Sequence, residues 1–159
     1  MAQRGVGSRG YRRAEARSLV VLDANVWASL LLDEDAHHAL SDAWFRGMEE
    51  TRQLFFGPYL LLPEVCGAIS RRTGDSQAAE QIMRRLAHLS VLQLLPLDRG
   101  LAIRAARLAA ELRLRGADAV YVATAQALGV PLVTWDGELL ERTAPAVEVR
   151  KPATDSGAD

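Results

Sequence analysis

Four isolated acidic residues, each next to a short apolar segment, constrain what this chain can fold into. An ionised carboxylate at the end of a buried strand, or on the inward face of a helix, is costly unless another group neutralises it. Acids that converge in this way favour a hard divalent cation, because Mg²⁺ and Mn²⁺ prefer carboxylate and water oxygens. The four acids with their segments are Asp23 after Leu19–Leu22, Glu64 within Leu60–Val65, Asp118 within Gly116–Val122, and Asp136 after Leu132–Trp135.

The composition indicates one folded domain without an overall charge. The chain has 159 residues, 49% of them apolar, and a formal net charge of −1. A polyanion would therefore have to be bound by local patches or through a metal. Cys66 is the only cysteine, which excludes an intrachain disulfide and a thiolate zinc site and fits a reducing compartment. No segment is long and apolar enough to span a bilayer, and we expect a cytoplasmic protein without membrane contact.

The two ends of the chain differ from its middle. Residues 1–18 are rich in Arg and Gly and lack the apolar centre of a signal peptide. We expect a disordered basic extension there, with an organellar targeting segment as the alternative. Residues 151–159 are polar and are expected to form a disordered tail. The folded domain is therefore predicted to cover residues 19–150.

Short apolar runs alternate with helical patterns along that domain. This alternation predicts an α/β fold with a parallel sheet that helices cover on both faces. Sites in such sheets form beyond the carboxyl ends of the strands, where Asp23 and Asp136 are expected and where helices could bring Glu64 and Asp118. The predicted strands are Leu19–Leu22, Leu54–Phe56 (ended by Gly57–Pro58), Val91–Leu95, Leu132–Thr134 and Val147–Val149. The predicted helices are Val26–Leu32 capped by Asn25, Ala36–Glu50, Tyr59–Arg72, a helix from Asp75 or Ser76 to Leu89, Arg99–Leu114 capped by Asp98 and ended by Gly116, Ala119–Leu128 begun by Asp118, and a turn over Asp136–Glu141.

Each acid also has a purely structural interpretation. Asp23 and Asp118 could cap helices, and Asp136 could be a turn residue. Glu64 resists such an interpretation because it lies between Leu62 and Val65 on an otherwise apolar helix. Four acids that share one expected edge of the sheet favour a metal site more strongly than any single one does.

The order and context of these acids resemble the PIN-domain nucleases, and in particular the VapC-type toxins of toxin–antitoxin pairs. The resemblance covers roughly residues 19–149. It rests on an ordered set of four motifs, each of them weak alone. They are Leu-Asp-Ala-Asn-Val (22–26), Leu-Pro-Glu-Val (62–65), Arg-Gly-Ala-Asp-Ala-Val-Tyr-Val-Ala-Thr-Ala (115–125) and Leu-Val-Thr-Trp-Asp (132–136).

The resemblance implies a three-layer α/β/α sandwich with a short, mainly parallel central sheet, and cleavage of RNA that depends on Mg²⁺ or Mn²⁺. By analogy, Asp23 and Asp118 would be direct metal ligands. Glu64 and Asp136 would bind directly, through water or through a second metal. The family cleaves with an activated water and leaves 5′-phosphate and 3′-hydroxyl ends. The matching polar residues, Asn25 and Thr134, would orient carboxylates or the attacking water.

Several aromatic and basic residues carry weaker signals. Trp135 could stack on a base and Arg115 and Arg142 could hold phosphates, whereas Trp27 is expected to pack in the core. Arg115 could equally satisfy a helix C-terminus. A set of four arginines is expected to form a solvated face, with an RNA-binding track as the alternative; they are Arg71, Arg72, Arg84 and Arg85.

Other functions remain open in part. A phosphatase or receiver domain is disfavoured, because those sites place paired acids after the first strand and a Lys after a late strand, and here Asn25 follows and Lys151 is the first lysine. No glycine cluster suits a nucleotide-binding loop. A housekeeping RNA-processing nuclease and a non-catalytic module that binds RNA or protein remain as alternatives.

The toxin interpretation carries expectations about partners. A small antitoxin is expected to occlude the acidic pocket, with an Arg that pairs with the carboxylates. Apolar helices over Ala36–Met48 and Tyr59–Ile69 are expected to offer surface to that partner or to a homodimer.

Overall fold

The computed structural model of the chain describes residues 19–50 and 53–153. In these residues five strands form one parallel sheet within a three-layer sandwich of the predicted class, together with seven helices. The strands are β1 Val20–Leu22, β2 Phe55–Pro58, β3 Leu92–Leu95, β4 Leu132–Val133 and β5 Val149–Arg150. The helices are α1 Ala24–Leu31, α2 His38–Glu50, α3 Leu61–Thr73, α4 Ser76–Ala87, α5 Arg99–Leu112, α6 Gly116–Leu128 and α7 Gly137–Arg142.

The strand order places a crevice beside the first strand. The sheet runs β3-β2-β1-β4-β5, and every neighbouring pair is parallel. The chain therefore builds outward from β1 on one side and then returns to build outward on its other side. In open parallel sheets this reversal leaves a crevice at the carboxyl ends of the two strands on either side of it. Here those strands are β1 and β4.

The centre of the sheet is fully buried. Val20, Val21 and Leu22 of β1 are 0% exposed, as expected for a parallel strand that has helices on both faces. The middle of α6, from Ala119 to Ala125, is buried along its whole length and packs against β1 and β2. A helix that is apolar all round belongs in the core. Trp27 is also buried, with its ring edge-on to Phe45 and Phe55, so the predicted core role of Trp27 is confirmed.

Two predicted helix starts are wrong. Asn25 does not cap α1; Asp23 occupies the N-cap position, and Asn25 is the second helical residue, with its side chain directed to the strand edge. Asp118 does not precede α6 but is its third residue, after an N-cap at Arg115. In both cases the helix begins earlier than the apolar pattern suggested. The polar residue is therefore held in the first turn, at a defined position beside the sheet.

Two predicted ends also differ. Gly57 and Pro58 do not break β2 but belong to it, because β1 has already ended at this level and Pro58 pairs only with Leu95 of β3. A proline is tolerated where no neighbouring strand needs its missing N–H. Helix α5 ends at Leu112 rather than Leu114. Its C-cap is Arg113 and not Gly116, and Arg113 takes the left-handed conformation (φ 55°) as its N–H bonds to the Ala109 carbonyl.

Several other features lie at the margins of the described chain. The predicted disordered segment 1–18 lies outside the described residues, as does 154–159, whereas residues 151–153 follow β5 without regular structure. Helix α2 begins at His38 instead of Ala36, which leaves the acidic segment 33–35 in a loop. None of the helices in residues 19–50 and 53–153 has the length and apolar character that crossing a membrane requires.

The predicted caps at Asp75 and Asp98 are confirmed, and the first allows a test of the fold. The Asp75 carboxylate accepts hydrogen bonds from the N–H groups of Gln77 and Ala78 at 2.9 Å each. We expect Asp75→Ala to lower the free energy of unfolding by about 1 kcal/mol, because two N–H groups of α4 lose their acceptor. Urea denaturation measures this. The exposed Gln81→Ala in the same helix should change it by less than about 0.5 kcal/mol, and equal values for the two variants would contradict the assignment.

Candidate active site

Connectivity brings all four predicted acids to the carboxyl edge of the sheet. Asp23 directly follows β1, and Asp136 follows β4. Glu64 lies in the first turn of α3, which begins soon after β2, and Asp118 lies in the first turn of α6. Helices that connect parallel strands run back across the sheet, so their N-termini lie at this same edge. The four acids line one open pocket of about 510 Å³, together with Asn25, Arg71 and Arg72.

Asp23 is held by two side chains from different parts of the chain. Thr134 donates its hydroxyl to Asp23 Oδ2 at 2.6 Å, and the Asn25 amide donates to the same oxygen at 2.9 Å. Asn25 is itself fixed, because its Oδ1 accepts the backbone N–H of Trp135 at 3.1 Å. The contacts join the ends of β1 and β4 across the crevice. Asn25 and Thr134 therefore fix the orientation of the Asp23 carboxylate.

Burial gives Asp23 unusual proton affinity. Asp23 is 6% exposed, and this burial raises the pKa of its carboxyl group from 3.8 to about 6. The hydrogen bond from Thr134 lowers the pKa in part, whereas the charges of Asp118 and Glu64 raise it further. The influence of these two carboxylates shows that the acids act on one another within the pocket.

Glu64 is paired with a residue that the sequence analysis did not single out. The Tyr121 hydroxyl donates to Glu64 Oε2 at 2.6 Å. Burial raises the pKa of Glu64, the Tyr121 bond opposes this rise, and the charge of Asp118 adds to it. Tyr121 is 1% exposed, and burial with the Glu64 charge raises the pKa of its phenol. Its position three residues after Asp118, on the same helix face, was the available signal.

The other two acids differ in how they are held. Asp136 caps α7, since its Oδ1 accepts the N–H groups of Glu138 and Leu139 at 2.7 and 3.2 Å. Asp136 therefore caps a helix instead of lying in a turn, and it lines the pocket as well. Burial raises the pKa of Asp118; the charge of Asp136 adds to this, and the charge of Arg115 opposes it.

Three of the weaker candidates do not line the pocket: Arg115, Arg142 and Trp135. Arg115 stands beside Asp118 as the N-cap residue of α6. Arg142 donates to the Arg113 carbonyl at 2.9 Å and pairs with Glu138 at 2.6 Å. The Trp135 indole N–H donates to Ser41 Oγ at 2.9 Å, and its ring stacks on His37 with centroids 4.2 Å apart. The latter two side chains are thus engaged in contacts that fasten neighbouring segments.

The donor set suits a hard divalent cation. Several carboxylate oxygens in the pocket accept no hydrogen bond from the described residues: Glu64 Oε1, Asp136 Oδ2 and both oxygens of Asp118. Within residues 19–50 and 53–153, no three Asp, Glu, His or Cys side chains are close enough to hold an ion as a single set. Mg²⁺ commonly binds through only one or two carboxylates and keeps several waters. The pocket therefore fits such an ion without a cage of three or more ligands.

A comparison with protein families agrees with the motifs. The model of the PIN domain matches residues 20–144, which include all four acids and most of the described chain. This chain belongs to the PIN-domain family. No curated protein sequence matched the chain.

Solved structures of a toxin and of toxin–antitoxin complexes share the fold at low sequence identity. The VapC20 toxin of Mycobacterium tuberculosis, which cleaves the sarcin-ricin loop, is 21% identical with a TM-score of 0.67, over 82% of this chain and 98% of that one. VapBC2 of Rickettsia felis, bound to promoter DNA, is 15% identical with a TM-score of 0.64, and the match covers 84% of this chain and 98% of that one. A toxin–antitoxin complex from Klebsiella pneumoniae is 18% identical with a TM-score of 0.60, and the match covers 84% of this chain and 97% of that one. The PIN-domain core of this chain therefore folds as these proteins do.

The buried acid predicts a specific pH dependence of stability. Because the folded pKa of Asp23 is raised to about 6, its contribution to stability is present in full below pH 4 and is lost as the pH rises through 6. The difference between the unfolded pKa of 3.8 and the folded pKa of about 6 corresponds to about 3 kcal/mol of folding free energy. Asn is neutral throughout and can accept the same two hydrogen bonds. We therefore expect the free energy of unfolding of Asp23→Asn to rise by up to about 3 kcal/mol relative to that of wild type as the pH increases from 4 to 7. Both proteins are measured in the presence of chelator.

Urea denaturation at four pH values measures this gain. The exposed Glu111→Gln on α5 serves as the control and should run parallel to wild type. A constant difference between Asp23→Asn and wild type across the range would show that burial does not control this carboxyl group.

Proposed function

We propose that this PIN domain is an endoribonuclease that requires Mg²⁺ or Mn²⁺ and hydrolyses RNA phosphodiester bonds. One observation carries the proposal: four carboxylates from four separate elements line one pocket, and burial raises the pKa of three of them, Asp23, Glu64 and Asp118. Groups in this state gain most from a cation. A pure binding module would gain nothing from four acids facing RNA.

The residues would divide the work as follows. Asp23 and Asp118 would hold the ion, with Glu64 and Asp136 binding it directly, through water or through a second ion. Asn25 and Thr134 keep Asp23 in place, and Tyr121 does the same for Glu64. A bound Mg²⁺ or Mn²⁺ would supply a water of lowered pKa and would stabilise charge on the phosphate. No side chain of the protein needs to act as a nucleophile.

We also propose that the protein is the toxin of a toxin–antitoxin pair in the cytoplasm. VapC20 is a toxin, and the similar structures from Rickettsia felis and Klebsiella pneumoniae are toxin–antitoxin assemblies. The expected helical surface needs one correction. The apolar face of α3 is unavailable, because Leu61, Val65 and Ile69 are at most 1% exposed.

Another surface can accept a small partner. An apolar groove of about 310 Å³ lies between α1, α2 and α4, and Phe45 and Ile82 are among its lining residues. We propose this groove for the antitoxin. A homodimer of the chain remains part of the proposal, and a housekeeping RNA-processing nuclease would keep the same acids without such a partner.

Cleavage of RNA is the direct test of the activity. We expect purified protein to cut total RNA with Mn²⁺ and not with chelator, leaving 5′-phosphate and 3′-hydroxyl ends. Asp118→Asn should reduce the rate on the order of 100-fold or more, because it removes a ligand of the ion. Gel analysis of labelled RNA measures both. Asp42→Asn, whose carboxylate pairs with Arg46 on α2, should retain the wild-type rate. Cleavage that persists in chelator would overturn the metal requirement.

Capture of a partner tests the toxin assignment. A short protein encoded beside this chain should co-purify with it and suppress the cleavage. Ile82→Arg places a charge in the apolar groove and should weaken that association about tenfold or more, since burying an unpaired charge is unfavourable. Ile103→Arg is the matched control, because Ile103 is exposed on α5 outside the groove. Equal effects of the two substitutions would place the partner elsewhere.

A further inference from the structure

We infer that Arg71, seated over Gly67, forms a phosphate-binding subsite of the acidic pocket. The ligand class is the phosphodiester backbone of single-stranded RNA, at a phosphate beside the one that is cleaved. The inference rests on the proposed function, since it assigns part of that substrate to one side chain. Arg71 was expected to belong to a solvated face, with an RNA-binding role as the alternative, and its position favours the alternative.

Arg71 lines the acidic pocket and has no partner in the described part of the chain. Its guanidinium takes part in no hydrogen bond or ion pair with residues 19–50 or 53–153. The neighbouring Arg72 differs, because it is bound to Asp35 in the loop before α2. Arg142 is likewise engaged, with Glu138 and a backbone carbonyl. Arg71 is thus a cation at the pocket whose donors are available.

Gly67 leaves room for the guanidinium of Arg71 on the surface of α3. Long side chains on a helix lean toward its N-terminus, so Arg71 extends back over the preceding turn of α3 toward Glu64. A Cβ atom built at Gly67 would be 3.0 Å from Arg71 Nη1. The guanidinium therefore lies beside the bare Cα of Gly67, and a larger residue at 67 would shift this flexible end of the side chain.

The chemistry of this position suits a phosphate. Arg presents a planar fork of N–H donors that matches two phosphate oxygens, and such charge-assisted bonds are stronger than neutral ones. Four carboxylates line the same pocket, yet none of them pairs with Arg71. RNA whose scissile phosphate lies among the acids would bring an adjacent phosphate toward the rim. A contact of this kind positions the strand and carries no sequence information.

Binding of intact RNA tests the subsite. The Asp118→Asn background keeps the RNA uncut, and fluorescence anisotropy with a labelled single-stranded oligonucleotide is measured from 50 to 200 mM KCl with Mn²⁺. We expect Arg71→Gln to weaken binding about tenfold at 100 mM salt. The slope of log K against log salt should become shallower by about 0.7, the value for one phosphate contact on a single strand. Arg71→Lys should keep the slope, because it keeps the charge.

Two controls separate this role from general effects. Arg107→Gln removes an exposed arginine of α5 that lies outside the acidic pocket, and its affinity and slope should equal those of the background. Gly67→Ala and Gly47→Ala both replace a helical glycine, and both should raise Tm. Nothing lies within 4 Å of a Cβ at Gly47. Only Gly67→Ala should weaken RNA binding, so its stability and its affinity should move in opposite directions.

The outcomes distinguish this inference from the proposed function. If wild type cuts RNA but Arg71→Gln binds with unchanged affinity and slope, the subsite is wrong and the nuclease assignment stands. If wild type cuts no RNA but Arg71→Gln shows the shallower slope, the subsite stands and the activity is wrong. An affinity of Gly67→Ala equal to that of Gly47→Ala would overturn the seating of Arg71 over Gly67.

Discussion

The buried carboxylate of Asp23 is the constraint on which the rest of this structure depends. It lies at the end of the central strand, where the strand order reverses, and it is withdrawn from water. Isolated, such a charge would be unfavourable. Two hydrogen bonds hold it, from Thr134 beyond the neighbouring strand and from Asn25 in the following helix. The same contacts join the end of β1 to the end of β4, so the side chains that stabilise Asp23 also fix one edge of the pocket.

The fold then adds like charges instead of removing them. Helices α3 and α6 start at this edge and bring Glu64 and Asp118 to the pocket that Asp23 lines. The charges of Asp118 and Glu64 raise the pKa of Asp23, and neighbouring acids raise that of Asp118. At Glu64 the hydrogen bond from Tyr121 lowers the pKa, but burial and the charge of Asp118 still keep it above its usual value. In our proposal a bound cation neutralises these charges and makes the pocket attractive to a phosphodiester.

The arginines around the pocket have different physical roles. Arg72 binds Asp35, whose pKa is lowered: burial alone would raise it, but the His37 N–H and the Arg72 guanidinium outweigh burial. This pair fastens the loop between α1 and α2 to the end of α3. Arg71, one residue earlier, has a different role: it lines the pocket and has no hydrogen-bond or ion-pair partner among residues 19–50 and 53–153. Adjacent residues of the same type thus serve loop attachment and, in our proposal, substrate binding.

The sequence predicted the class of the fold, the order of its elements and the set of acids. Apolar runs beside single acids carry that information. A buried strand must be apolar, and an acid at its end is costly unless another group neutralises its charge. Other details depend on tertiary contacts. Asn25 is of a residue type that favours helix N-caps, but here its side chain bonds to Asp23. Strand β2 continues through Gly57 to Pro58, beyond the level at which β1 has ended. From the sequence, Tyr121 is expected to be an ordinary core residue. Only the structure shows that its hydroxyl bonds to Glu64, which lies 57 positions earlier in the chain. The different positions of Arg71 and Arg72 are likewise a product of folding.

Anomalous diffraction from crystals soaked in Mn²⁺ tests the central claim most directly, because it locates the ion without reference to activity. Our account predicts a peak inside the acidic pocket, in contact with the carboxylates of Asp23 and Asp118, and a weaker peak in crystals of Asp118→Asn soaked in the same way. Manganese bound only elsewhere on the protein, or a pocket without a peak at millimolar concentrations of the ion, would contradict it.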